Sequence, residues 1–293
     1  MLKISTNGHG EIRRVVDLAF EGQQGFAKHN IDLVGIVDSY ASRVSGLVSG
    51  VLADQGLSIT PIGSAVRGTA LPGRTDLDFY LFSGQLNDYD NNGLKHVSRS
   101  LQECYWHNLG GTIHSLRSTD VALAHRVSRL HADSGIAVDG LSYLEVFLGK
   151  SEPKSSALVT AHTQLQAMQT STSGSTERAL RLKYIFDQLG IYGTNTNLVG
   201  RGLNGVATEL LALRADLIGP NQVVELVVEL VDLILHIATD DKNKIADGVL
   251  KLPLTALVPD FLSSMPVELK EILKVYTVAA DHATVLSCRL CSS

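Results

Sequence analysis

Two short pieces of the sequence hold residues of the types that bind phosphate and cations. Pro61 to Phe82, PIGSAVRGTALPGRTDLDFYLF, places Gly63-Ser64 ahead of Asp76-x-Asp78, with Arg67-Gly68-Thr69 between them. A Gly-Ser at a strand end, opening a helical turn, offers backbone N–H groups and a hydroxyl to an anion, a chemistry suited to a nucleoside triphosphate. Asp76 and Asp78 are two apart on a segment that reads as a strand, so their carboxylates leave from one face and suit one hard, oxygen-loving cation such as Mg²⁺. A third carboxylate, Glu145, lies in the apolar run Tyr143-Leu-Glu-Val-Phe-Leu148. Burying it is costly unless it is paired or bound to metal; an edge-strand Glu facing solvent is the alternative. Asp139 is the rival carboxylate, but Asp139-Gly140 also fits a two-residue hairpin turn.

The elements that must position these groups follow from periodicity. From Gly10 to about Leu57 the apolar residues Val15, Leu18, Phe26, Leu33, Ile36, Val37, Val44, Leu47 and Val51 recur at helical spacing with a break near Asn30, which predicts two helices. Ser58 to Pro61 reads as a short extended entry and Leu77 to Phe82 as a strand. Asn91 to Trp106 reads as a helix, Thr112 to Leu116 and Ala124 to His131 as strands, and Ile136 to Leu148 as a hairpin about Asp139-Gly140. After Gly149 the polar segment SEPKSS reads as a connector, and from Ala157 onward the period is helical, with breaks near Thr170 to Thr176, Tyr192 to Gly202 and Gly219-Pro220. Asn221 to Ile237 is apolar enough to predict a helix buried on most sides. The expected fold is α+β: a small mixed sheet with flanking helices over residues 1–152, then an all-helical domain over 153–293.

Composition bounds the function. In 293 residues, 44% are hydrophobic and 19% charged, which excludes a disordered chain. Lys+Arg 25 against Asp+Glu 30 gives −5, so contact with nucleic acid requires a local basic patch and not the field of the whole molecule. There is no apolar run of about 18 residues and the N-terminal segment lacks signal-peptide character, so a cytoplasmic protein with no membrane partner is expected. Cys288-x-x-Cys291 lacks further ligands at zinc spacing and reads as reduced thiols.

Gly63-Ser64 separated by eleven residues from Asp-x-Asp inside an apolar strand, with Arg67-Gly68-Thr69 in place, resembles the signature of the DNA polymerase beta-like nucleotidyltransferases. Further along, ALRLKYIFDQLGIYG (Ala179 to Gly193) and GLNGVATELL (Gly202 to Leu211) resemble the central domain of archaeal-type (class I) CCA-adding tRNA nucleotidyltransferases. In that family a Leu-Lys helix is followed by Gly-x-Tyr-Gly, then by Gly-Phe-Ser-Gly with a Glu-Leu-Leu; here Leu203-Asn204 replaces Phe-Ser. Ala161-His162-Thr163 stands where the family has a His-Thr pair, and the resemblance spans roughly Ile59 to Leu213.

The resemblance implies template-independent transfer of CMP or AMP from CTP or ATP to an RNA 3′-hydroxyl, most notably CCA addition to tRNA, with Mg²⁺ as cofactor. It implies that Asp76 and Asp78 hold the Mg²⁺ of the triphosphate and that Glu145, where relatives usually carry Asp, completes a second metal site. Gly63, Ser64 and Arg67 would neutralise the leaving pyrophosphate. His162, Lys183 and Tyr192 would contact the incoming nucleotide, the last two near its triphosphate. The family's tRNA-gripping domains find no match in these residues, so a short acceptor track near Arg178, Arg181, Lys183 and Arg201 is expected, and a homodimer or another protein would supply further grip only if RNA contacts beyond that track exist. An oligoadenylate or cyclic-oligonucleotide synthetase shares the Gly-Ser to Asp-x-Asp spacing and a short helical second domain, and is the alternative.

Overall fold

A computed structural model describes residues 4–22, 37–38, 41–42, 45, 57–71, 75–85, 111–114, 121–128, 141–149, 151–192, 205–240, 249–252 and 276–279. The chain divides into two compact units, Ala27–Gln166 and Met1–Phe26 with Ala167–Ser293. The expected boundary at residue 152 therefore falls inside the first unit, and the N-terminal helix belongs with the C-terminal segment. The expected helix at Asn91–Trp106, the Asp139-Gly140 turn, Arg201, Leu203-Asn204 and the Cys288/Cys291 pair lie outside the described residues.

The first unit is built on a five-stranded sheet with spatial order β1-β2-β5-β4-β3, from β1 (Ser58–Ile62), β2 (Thr75–Phe82), β3 (Gly111–His114), β4 (Val121–Ser128) and β5 (Leu141–Gly149). The expected mixed sheet is present: β1–β2, β3–β4 and β4–β5 are antiparallel and β2–β5 is parallel. Pro61, which has no N–H for a ladder, is accommodated because β1 is an edge strand. Tyr80 is fully buried with Ile62 and Val159, and Phe82, Phe147 and Leu158 pack on them. Its hydroxyl donates to the Ser151 carbonyl at 2.8 Å. Gly149 leaves the ring room, since a Cβ there would come within 2.0 Å of Tyr80 Cζ.

α2 (Gly63–Arg67) follows β1 directly and ends at Gly68, whose φ of 70° is the left-handed conformation that glycine adopts without penalty. The Thr69 N–H then donates to the Ser64 carbonyl at 2.9 Å. The SEPKSS segment is more than a connector. Pro153–Ser155 forms a 3-10 turn, and Ser156 caps α3 (Ala157–Ser171), its Oγ accepting from Val159 N–H at 3.2 Å.

The second unit is mainly helical. α1 (Thr6–Glu21) starts earlier than its apolar spacing predicts because Ser5 caps it, accepting from Gly8 N–H at 3.0 Å. It buries Ile12, Val15, Val16 and Ala19, while Leu18 faces outward. α4 (Ser175–Gln188) is followed by α5 (Gly205–Leu211) and by α6 (Pro220–Asp240), which has Pro at its first position. Over the part of α6 whose side chains are described, burial is confined to one stripe, Val223, Leu226, Val227, Leu230 and Val231, with Glu225, Glu229 and Asp232 exposed. The helix buried on most sides is α4, which encloses Arg178, Arg181 and Lys183 as well as Ala179, Leu182, Ile185 and Phe186. The second half is also not all-helical. β6 (Val249–Leu252) and β7 (Tyr276–Ala279) pair antiparallel, short apolar runs whose state periodicity does not decide.

Candidate active site

The sheet unit brings Gly63 and Asp78 into direct proximity. Ile62 is the cross-strand partner of Asp78, so the chain leaving β1 turns immediately beside that carboxylate. Gly63 has φ of 85°, which disfavours any L side chain, and a Cβ built on it would lie 2.0 Å from Asp78 Oδ2. Glycine is required here twice over, by conformation and by space for the acid.

Strand register supplies the neighbours. Asp78 is paired with Glu145 across the parallel β2–β5 ladder, and Glu145 with Arg126 across β5–β4. Positions aligned across a ladder share a sheet face, so 78 and 145 stand side by side on one face. In the same register Asp76 stands opposite Tyr143, two positions before Glu145 and on the same face; the register shifts only beyond it, at Thr75. The sequence named these three acids; the long-range parallel pairing that aligns two of them had no local signal. The side chains of Asp76 and Glu145 lie outside the described ones, and among the described side chains no three His, Cys, Asp or Glu residues cluster. The Asp78 carboxylate, beside which Gly63 leaves room, is an oxygen donor of the kind that suits a hard divalent cation.

Ser64 is half-buried on α2, and Arg67 ends that helix. The Arg67 side chain turns to α3, where Nη1 lies 2.6 Å from His162 Nδ1. This pairing had no signature in the sequence, because the two residues are 95 positions apart. A cavity of about 380 Å³ lined by Ser58, Phe82, Glu152, Pro153 and Lys154 lies at the opposite end of the β1–β2 pair from Asp78, and so is separate from this cluster.

The helical unit holds Lys183 and Tyr192. Lys183 is fully enclosed, and its Nζ donates to Glu209 Oε1 at 2.6 Å; Glu209, equally enclosed, accepts from Gln169 Nε2 at 3.1 Å. Glu209 stood in the Glu-Leu-Leu motif, but its partnership with Lys183 was not foreseen. Gly190, with φ of 76°, ends α4 and turns the chain so that Tyr192 N–H donates to the Phe186 carbonyl at 3.0 Å. Gly205 approaches this corner closely: a Cβ there would be 3.2 Å from the Tyr192 hydroxyl and 3.6 Å from Lys183 Nζ.

The basic residues expected to line an acceptor track are committed elsewhere. Arg178 donates from Nε to the Ala212 carbonyl at 2.8 Å and from Nη1 to the Ser173 carbonyl at 3.0 Å, joining the start of α4 to the end of α5. Arg181 stacks 3.7 Å above the Phe20 ring and pairs with Glu177 at 2.7 Å. Burial pushes its guanidinium down from the ordinary arginine value, against the opposing pull of Glu177. With Lys183 also enclosed, three of the four expected track residues face the interior of their own unit, because each found a partner there; the fourth, Arg201, lies outside the described residues.

No family model matches the sequence, and no curated protein matches it. Solved structures similar to it include the RNA terminal uridylyl transferase Cid1, at 12% identity and a TM-score of 0.41, over 67% of this chain and 51% of that one. Terminal uridylyl transferase 4 from Trypanosoma brucei with bound UTP and UMP is similar at 14% identity and a TM-score of 0.43, over 69% and 61%. The polymerase core of TRAMP, an RNA surveillance complex, is similar at 15% identity and a TM-score of 0.42, over 69% and 58%. The chain thus spans between about half and three fifths of the length of these structures. Among the described residues no helix is long and apolar enough to cross a membrane.

Proposed function

We propose that the protein is a template-independent nucleotidyltransferase of the DNA polymerase beta-like class, adding CMP or AMP from CTP or ATP to an RNA 3′ end, with tRNA CCA addition as its reaction. The observation that carries this reading is the close approach of Gly63 to the Asp78 carboxylate, beside position 145 on the next strand. A solvated strand acid needs no such tailoring of the neighbouring backbone.

In this reading Asp76, Asp78 and Glu145 would hold Mg²⁺, which when bound neutralises triphosphate charge and makes the attacking hydroxyl more acidic. Gly63, Ser64 and Arg67 face the leaving pyrophosphate with donors and positive charge, since phosphoryl transfer depends mainly on positioning and electrostatics. The acceptor 3′-oxygen bonds to the α-phosphorus as the bond to pyrophosphate breaks, and no side-chain nucleophile is needed. His162 is the nucleotide contact proposed in the sheet unit. In the helical unit Lys183 would reach an anion only by giving up Glu209; while paired, it supports the corner formed by Tyr192 and Gly205.

One observation favours a second reading. The enclosure of Arg178, Arg181 and Lys183 removes three charges from the expected RNA track, which suits an acceptor that is itself a nucleotide, as in an oligoadenylate or cyclic-oligonucleotide synthetase. Incubation with Mg²⁺ and each labelled NTP in turn, UTP included, with and without tRNA lacking its 3′ end, separates the two. Extension of the tRNA by a few C and A residues supports the first; small oligonucleotides made without tRNA support the second. Incorporation of no nucleotide under any of these conditions contradicts both.

A further inference from the structure

The proposed reaction makes no use of the cavity of about 380 Å³ lined by Ser58, Phe82, Glu152, Pro153 and Lys154. Ser58 pairs with Phe82 at one end of the β1–β2 ladder and Ile62 with Asp78 at the other, four residues along. At about 3.3 Å per residue the cavity therefore lies about 13 Å from the position of Asp78. All five lining residues belong to the sheet unit. The volume falls in the range of pockets that hold small organic molecules, and is roughly ten times the ~30 Å³ that one water occupies.

Three kinds of group meet there. Phe82, half-buried at the edge of the core formed by Ile62, Tyr80 and Val159, and the Pro153 ring offer apolar surface to a flat molecule. The Ser58 hydroxyl is buried and has no hydrogen-bond partner among the described residues, although a buried hydroxyl is nearly always paired and can donate one bond and accept two. Lys154, 84% exposed, meets Glu152 at 3.4 Å, and a surface pair of this kind holds its charges only weakly. One water would satisfy Ser58 but leave the apolar surfaces wet; a planar ring with a polar edge does both. We propose that this cavity is a second ligand site, for a nucleoside monophosphate, with the base on Phe82 and Pro153, its polar edge bonded to Ser58 Oγ and its phosphate at Lys154. Glu152 beside Lys154 repels a higher negative charge, which favours the monophosphate over the triphosphate. The proposal does not rest on the transferase reading.

The test is saturation-transfer NMR and equilibrium titration of the full chain with AMP and with CMP, in EDTA so that no metal-bound nucleotide forms beside Asp78. Wild type is expected to saturate the base protons of at least one of them; no binding of either at millimolar concentration overturns the proposal. Ser58→Ala should weaken that nucleotide by roughly three- to tenfold, the loss of one hydrogen bond, and leave the thermal midpoint unchanged or raised, because the hydroxyl it removes has no partner in the fold. Lys154→Gln, at an exposed position, should weaken it by about two- to fivefold and leave the parent nucleoside unaffected. An unchanged nucleotide affinity in either variant overturns the site, as does ribose 5-phosphate binding as tightly as the nucleotide. Asp78→Asn is expected to bind it as wild type does. Loss of binding in that variant would put the nucleotide beside Asp78, which overturns the second site and leaves the transferase reading standing; the expected binding without incorporation under any condition does the reverse.

Discussion

Asp78 and Lys183 are both charged residues embedded in apolar sequence, and both belong to motifs that resemble a nucleotide site, yet the two units treat them differently. Around Asp78 the sheet unit makes room: a glycine with a left-handed backbone stands where a Cβ would meet the carboxylate, and a second acid position is aligned on the next strand. Around Lys183 the helical unit closes: the ammonium is fully buried, and Glu209 and Gln169 complete a network that satisfies it internally. A buried pair of this kind gains little net stability but makes the loss of either partner expensive, because an uncompensated charge is left behind. In the proposed reading the first arrangement leaves space beside a carboxylate for a ligand, whereas the second holds its own fold together.

Substitutions in both units press on this contrast. Gly63→Ala places a methyl group against Asp78 Oδ2 at a φ of 85°. It should lower the nucleotide incorporation rate by about 10³-fold, equivalent to about 4 kcal/mol, with about 1–3 kcal/mol of stability lost to backbone strain; a near-normal rate would mean that the carboxylate needs no such room. Glu145→Gln should be nearly as damaging to rate, whereas Asp139→Asn, which retains turn propensity, should be nearly silent. Reversed sensitivities in the kinetic comparison would overturn the assignment of Glu145.

In the helical unit, Glu209→Ala should cost about 3–5 kcal/mol in denaturant unfolding. The double change Lys183→Met with Glu209→Leu should recover most of that loss, and a double variant as unstable as the single one would contradict the picture of a self-contained pair. The smallest effect is at Asp216, whose carboxyl the hydrogen bond from Arg214 holds below its ordinary 3.8. A depressed folded-state pKa adds stability above the unfolded value, and that increment disappears as pH falls through the folded value. Asp216→Asn should therefore flatten the acid limb of the stability curve slightly, by at most about 0.5 kcal/mol, since the carboxylate is 57% exposed and screened by salt. An unchanged acid limb would remove the pair from the account.

The sequence carried the sheet site further than it carried the helical one, for physical reasons. Period-two spacing puts Asp76 and Asp78 on one face without knowledge of any partner strand, and Gly63-Ser64 marks the turn beside them. The alignment of Asp78 with Glu145 depends on a parallel pairing across more than sixty residues, which local pattern does not encode; a hairpin was the natural local reading. In the helical unit, apolarity suggested that α6 would be enclosed. Over its described side chains α6 buries one stripe, whereas α4 is enclosed, because its Arg178, Arg181 and Lys183 find carbonyls, an aromatic face and Glu209. Charge is visible in a sequence, but the partner that makes its burial tolerable is not.

The most direct test of the central claim is Asp78→Asn, followed by two readouts on the same preparation: Mg²⁺-dependent incorporation of labelled nucleotide and the thermal midpoint. The account predicts that the rate falls by about 10³-fold or more, the several kcal/mol that a metal site supplies, while the midpoint moves little, because the residue is placed for a ligand and not for packing. Normal Mg²⁺-dependent incorporation by this variant would contradict the account.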